Sequence, residues 1–129
     1  DCPLAIVDKR RQRANVCEVM NIIGDVRDKK VILVDDMIDT AGTLCNAAAA
    51  IVEKGGAKTV IAAATHAVLS GPAIERIQNS VIDTVVLLDT IALPPEKQID
   101  KFKVLTVGPV FSEAIERIYE DKPVSIMFV

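Results

Sequence analysis

Two adjacent carboxylates, Asp35 and Asp36, follow the apolar run Val31-Ile-Leu-Val34, and a loop of small and hydroxylated residues follows them, Asp39, Thr40, Ala41, Gly42 and Thr43. Carboxylates accept hydrogen bonds from sugar hydroxyls or bind a magnesium ion. A loop that opens a helix presents backbone N–H groups, and glycine lets a ligand approach them closely, which suits a phosphate. The pattern therefore points to a phosphorylated sugar. The plainer alternatives are a solvated strand end with one carboxylate capping a turn, and an ordinary helix N-terminus capped by Asp or Thr. No lysine follows Gly42, so this is not the loop that holds a nucleoside triphosphate in P-loop proteins. If the strand persisted through the acidic pair, the two side chains would leave opposite faces; both meet one ligand only if the backbone turns there.

A second chemical cluster is Lys9-Arg-Arg-Gln-Arg13, four cations in five residues. Alone it reads as an exposed, solvated loop with no hydrophobic period, able to steer polyanions. His66, the single histidine, sits where a strand should end and invites a general-base reading. Cys2, Cys17 and Cys45 are odd in number and lack metal-ligand spacing, which fits reduced thiols, with Cys45 as small core filler.

The elements that must position these residues alternate along the chain. Strand candidates are Leu4–Val7, Val31–Val34 (apolar enough to be buried on both faces), Thr59–Thr65, Asp83–Asp89, Phe102–Val107 and a short terminal strand at Ser125–Phe128. Val16–Val26 is ambiguous between helix and strand, with alternation favouring a strand near Met20–Gly24. Helical spacing places Leu44, Ala47, Ala48, Ile51 and Val52 on one face, ending at Gly55-Gly56. A second helix starts near Ser70-Gly-Pro72, with Ser70 as cap, and runs to about Gln78. A third, over Pro109–Glu120, carries Val110, Phe111, Ala114, Ile115, Ile118 and Tyr119 on one stripe. Strands alternating with helices imply an α/β fold with a mainly parallel sheet flanked by helices.

The totals agree with a single domain over residues 1–129. Half the residues are hydrophobic, whereas aromatics are only 3%, which argues against stacking of nucleic-acid bases. A net charge of −3 argues against nucleic acid and anionic membrane surfaces, and no apolar run approaches the length of a membrane span. The chain opens at Asp1 without a methionine and enters an apolar stretch almost at once, as expected of a piece of something longer.

Taken together, Val31-Ile-Leu-Val-Asp-Asp-Met-Ile-Asp-Thr-Ala-Gly-Thr43 resembles the signature shared by type I phosphoribosyltransferases and ribose-phosphate diphosphokinases. Ala5-Ile-Val-Asp-Lys-Arg-Arg11, Ala14-Asn-Val16, Val19–Val26, Thr65-His-Ala-Val-Leu-Ser-Gly-Pro72, Ala114-Ile-Glu-Arg117 and Val124–Phe128 narrow the resemblance to the diphosphokinase family, over essentially the whole chain. The resemblance implies a type I phosphoribosyltransferase-like fold and the carboxyl-terminal part of an enzyme whose amino-terminal domain is absent. In that family ribose 5-phosphate attacks the β-phosphorus of magnesium ATP through its anomeric hydroxyl, giving phosphoribosyl pyrophosphate and AMP.

By the same resemblance, Asp39, Thr40, Ala41, Gly42 and Thr43 cradle the 5-phosphate, and Asp35 and Asp36 hold the ribose hydroxyls. Lys9 and Arg11 match the cations of a flexible catalytic loop. Ser125 matches part of a nucleotide effector site, although Pro123 stands where related sequences often carry a polar residue. The family's metal-linked histidine lies in the amino-terminal part, which leaves His66 a structural role. Magnesium arrives with the substrate, its ligands mostly outside this chain. The partners implied are ribose 5-phosphate, ATP and further copies of the chain, hexameric in the family, in the cytoplasm. Alone, the chain is expected to be inactive. The competing readings are a non-catalytic synthetase-associated subunit and a phosphoribosyltransferase.

Overall fold

The structure is a computed structural model that describes residues 2–10 and 19–128, the backbone alone at 9, 10, 19 and 20. Two strands, β1 (Ile6–Arg10) and β2 (Val19–Ile23), form an antiparallel pair in which Ile6 lies opposite Ile23 and Lys9 opposite Met20. The strand expected near Met20–Gly24 is thus present. The first strand, however, runs on through Lys9 and Arg10, where a loop was expected. Pairing with β2 supplies backbone hydrogen bonds that offset the poor strand propensity of consecutive cations. Arg11, Arg13, Cys17 and the Ala14–Val16 segment lie outside the described residues.

The remaining strands build a four-stranded parallel sheet in chain order: β3 (Lys30–Ile38), β4 (Thr59–Ala67), β5 (Ile82–Leu88) and β6 (Phe102–Leu105). Helix α1 (Gly42–Glu53) connects β3 to β4, and α2 (Ala73–Gln78) connects β4 to β5. After β5, Leu93-Pro-Pro95 breaks the chain, and a single 3-10 turn, Pro95–Lys97, precedes β6. Helix α3 (Gly108–Tyr119) follows. This is the mainly parallel α/β arrangement that the alternating pattern predicts.

One face of the sheet carries the core. Val60, Ala62 and Ala64 of β4 and Val85 and Leu87 of β5 alternate inward with a period of two, and Ile82 joins them across a register shift opposite Val60 and Ile61. They meet Leu44, Ala48 and Ile51 of α1 and Ala73 and Ile77 of α2. The run of four alanines in α1, Ala47–Ala50, favours helix intrinsically, and its small side chains allow the helix to lie close to the sheet. Past Glu53 the chain reverses through Gly56, whose φ of +73° is costly for any residue with a Cβ, and the Gly56 N–H donates to the Val52 carbonyl.

The opposite face differs from the sequence expectation. Strand β3 lies at the sheet edge, and Ile32 and Val34 are 63% and 80% exposed rather than buried on both faces. Periodicity shows that a strand is apolar on both sides, not whether anything covers each side. On α3 the apolar stripe is confirmed in position, but none of its residues is buried among the described ones. Ser125–Phe128 is a 3-10 turn, not a strand. Four residues, three of them apolar, are too few for period to separate the two.

Candidate functional site

Strand β3 does not stop at the carboxylates. It continues through Asp35 and Asp36 to Ile38, so the two side chains leave opposite faces of the strand. Asp35 is in register with buried Ala64, which places it on the α1 side, and Asp36 on the open side. Each carboxylate folds back on the next residue: the Asp36 N–H donates to Asp35 Oδ1 at 3.0 Å and the Met37 N–H to Asp36 Oδ1 at 2.8 Å. Both remain exposed.

The loop that follows is held in an unusual shape. Ala41 has φ 58° and ψ 5°, a left-handed conformation that costs a residue with a Cβ about 1–3 kcal/mol. Burial of its methyl group, at 5% exposure, keeps it in place. Ala41 is also the residue from which α1 springs, its carbonyl accepting the Cys45 N–H at 3.0 Å. No side chain caps that helix. The Asp or Thr cap of an ordinary N-terminus is therefore missing, and the first turn directs its amides and the positive end of the helix dipole out of the carboxyl edge of the sheet.

A second loop, between β4 and α2, braces the first. The Leu69 N–H donates to the Ile38 carbonyl at 2.9 Å and the Ser70 N–H to the Asp39 carbonyl at 3.0 Å. The Ser70 hydroxyl donates to the Asp39 carboxylate. Ser70 thus serves Asp39 instead of capping α2, whose N-cap is Pro72 without a side-chain bond. The Asp39 carboxylate is turned to Ser70, so its part in any anion site is played by its backbone. From α2, Arg76 Nη1 donates to the Thr40 carbonyl at 2.9 Å. A Cβ at Gly42 would stand only 3.3 Å from the same nitrogen, so glycine makes room for the guanidinium.

Nothing in the sequence marks Arg76: it is one cation in a short amphipathic helix, and only the α1–α2 packing shows its reach. Lys101 Nζ holds the other end of α2, donating to the Ile77 and Ser80 carbonyls at 3.1 and 2.9 Å.

His66 is engaged with Thr90, just past β5. Thr90 Oγ1 donates its one proton to the Thr65 carbonyl at 2.6 Å, so the 2.9 Å contact with His66 requires Nδ1 to be the donor. This agrees with a structural part for His66. At the end of β5, Asp89 accepts the Val107 N–H at 2.8 Å; that bond and the neighbouring Thr106 hydroxyl hold its carboxyl below the usual range. Burial pushes the Cys45 thiol up, the outcome expected of a core filler.

The structure therefore brings Asp35, Asp36, Asp39, Thr40, Ala41, Gly42 and Thr43 to one edge of the sheet, with Ser70 and Arg76 added. Lys9 is placed only by its backbone, in β1, and Arg11 lies outside the described residues. Ser125 is exposed, and no hydrogen bond among the described residues ties it to the loop. Among the described residues no three His, Cys, Asp or Glu side chains converge on a metal position. None of the described helices is long and apolar enough to cross a membrane.

Comparisons with known proteins bear on the family and the fold. The ribose-phosphate pyrophosphokinase of Clostridium acetobutylicum is 64% identical over 126 residues, covering 98% of this chain and 39% of the relative. That of Bacillus subtilis is 57% identical over 126 residues, with the same coverage of 98% and 39%. The chain thus spans about two fifths of the length of the curated relatives it matches. A crystal structure of phosphoribosylpyrophosphate synthetase from Mycobacterium smegmatis superimposes with a TM-score of 0.74 at 37% identity, over 80% of this chain and 34% of that one. The family described as the phosphoribosyl synthetase-associated domain matches residues 7–129. Over nearly its whole length, then, the chain belongs to the phosphoribosyl synthetase-associated domain family.

Proposed function

We propose that this chain is the carboxyl-terminal, ribose 5-phosphate-binding part of a ribose-phosphate pyrophosphokinase, which moves pyrophosphate from magnesium ATP to the anomeric hydroxyl of ribose 5-phosphate and releases AMP. The observation that carries the reading is the uncapped N-terminus of α1, opened by left-handed Ala41 at the carboxyl end of β3. A dianionic phosphate there accepts hydrogen bonds from the amides of Ala41, Gly42 and Thr43 and sits in the favourable field of the helix. It stays apart from Asp35 and Asp36, which would repel it.

Those carboxylates instead accept hydrogen bonds from the ribose 2- and 3-hydroxyls. Because β3 sends them to opposite faces, both reach one sugar only if the backbone at the strand end turns when the ligand binds. Lys9 and Arg11 stabilise the charge that develops on the transferred phosphoryl oxygens. Magnesium belongs to the ATP substrate and takes its other ligands outside this chain. Ser125 contributes to an effector site. The parent enzyme is a homo-oligomer and works in the cytoplasm, and the 129-residue chain by itself makes no product.

The test is ribose 5-phosphate-dependent AMP release, measured on the full-length protein that carries this chain and on the chain alone. AMP from the former and none from the latter supports the reading. Base-dependent consumption of phosphoribosyl pyrophosphate without ATP would make it a phosphoribosyltransferase. Ribose 5-phosphate or nucleotide binding with no turnover in the full-length protein would make it a non-catalytic associated subunit.

A further inference from the structure

A loop that receives a phosphate has to deal with its own carbonyl oxygens, because each one near the anion is a partial negative charge in the wrong place. Thr40 is the position where this matters here. Its carbonyl lies immediately before left-handed Ala41 and two residues before α1 begins. That carbonyl is taken by Arg76 Nη1 at 2.9 Å. The guanidinium lies against Gly42, the first residue of the helix, where an added Cβ would stand 3.3 Å from Nη1 and press on it.

Arg76 is well placed to hold this position. Its helix is anchored by fully buried Ala73 and Ile77, braced at its start by the Ser70–Asp39 bonds and held at its end by Lys101. No carboxylate among the described residues lies within ion-pair range of the guanidinium, so its charge is not neutralised locally. The bond to Thr40 uses one of its five N–H donors.

We propose that Arg76 is a positioning residue for the 5-phosphate: it engages the Thr40 carbonyl, holds the 39–43 loop in its anion-receiving shape and adds a fixed positive charge beside Gly42. This rests on the ribose 5-phosphate reading above.

The experiment measures kcat and the separate KM values for ribose 5-phosphate and ATP in the full-length protein carrying this chain. Arg76→Gln should raise KM for ribose 5-phosphate about tenfold, as expected for loss of one charge-assisted hydrogen bond, with KM for ATP nearly unchanged. Arg76→Lys should recover part of the loss, because it keeps the charge and one donor but not the planar fork. Gly42→Ala, which crowds the guanidinium, should give the same ribose-selective defect. A purely structural arginine would lower thermal stability and active fraction without separating the two KM values.

If the Gln variant does not fold, the Lys and Ala variants carry the test. Unchanged KM for ribose 5-phosphate in all soluble variants, or equal rises for both substrates, overturns the proposal. Asp35→Asn run alongside separates the two levels: if it still selectively weakens ribose 5-phosphate, only the role of Arg76 is lost. If it does not, the site assignment falls as well.

Discussion

Ser70 grips Asp39 by both backbone and side chain, its N–H donating to the Asp39 carbonyl at 3.0 Å and its hydroxyl to the Asp39 carboxylate. These bonds tie the two loops at the carboxyl edge of the sheet into one unit. Ser70→Ala removes the hydroxyl but keeps the backbone bond. It should destabilise the fold by about 1 kcal/mol, the usual net contribution of one hydrogen bond near the surface, as measured by denaturant unfolding. In the full-length protein the same change should raise KM for ribose 5-phosphate, since it frees an aspartate carboxylate close to the phosphate. An unchanged KM would mean the loop keeps its shape without the brace.

The separation of Asp35 and Asp36 onto opposite faces gives each its own prediction. Asp35→Asn and Asp36→Asn should each weaken ribose 5-phosphate more than ATP, by about ten- to a hundredfold if each carboxylate accepts one hydroxyl. Because the Asp36 N–H donates to Asp35 Oδ1, the two positions are coupled, and their effects on binding free energy should not simply add in the double variant. Equal weakening of ATP by either single change would contradict the assignment.

Lys9 belongs to β1 by its backbone, and the proposed role for it is in the transition state. Lys9→Ala in the full-length protein should chiefly lower kcat, with both substrates binding nearly as before. A defect confined to KM would place Lys9 in substrate binding instead.

Asp89 supplies a pH dependence whose sign follows from its bonds. Its folded-state carboxyl is held below the ordinary value, first by the Val107 N–H and then by the Thr106 hydroxyl. Its contribution to stability is therefore complete above the unfolded-state value, near pH 4, and is lost as pH falls through the lower folded value. Asp89→Ala should be less stable than the parent chain at pH 6, and the gap should close as acidification passes below the lowered folded-state value. Thermal melts of both chains across that range check it.

Much of this architecture is legible in the sequence for local reasons. The Val31–Val34 run, the alanines of α1 and the small-residue loop between them carry their structure in their own composition and spacing. What escapes is set by neighbours distant in the chain. Nothing local says that β3 lies at an edge, because an apolar run looks the same whether its second face is covered or open. Lys9 and Arg10 join a strand because β2 pairs with them, against their own propensity. Ser70 reads as a helix cap until the position of Asp39 is known. Arg76 stands 36 residues from the carbonyl it engages, and only the packing of α2 on α1 joins them.

The edge position of β3 has a consequence for solubility. A long strand at a sheet edge invites another chain to add to it, and Ile32 and Val34 make this one sticky as well. Near its far end, Asp35 and Asp36 turn their carboxylates onto the amides of the following residues and set one negative charge on each face. An incoming strand would meet an occupied donor and negative charge there. The acidic pair thus guards the edge against runaway strand addition, a duty that persists when no sugar is bound.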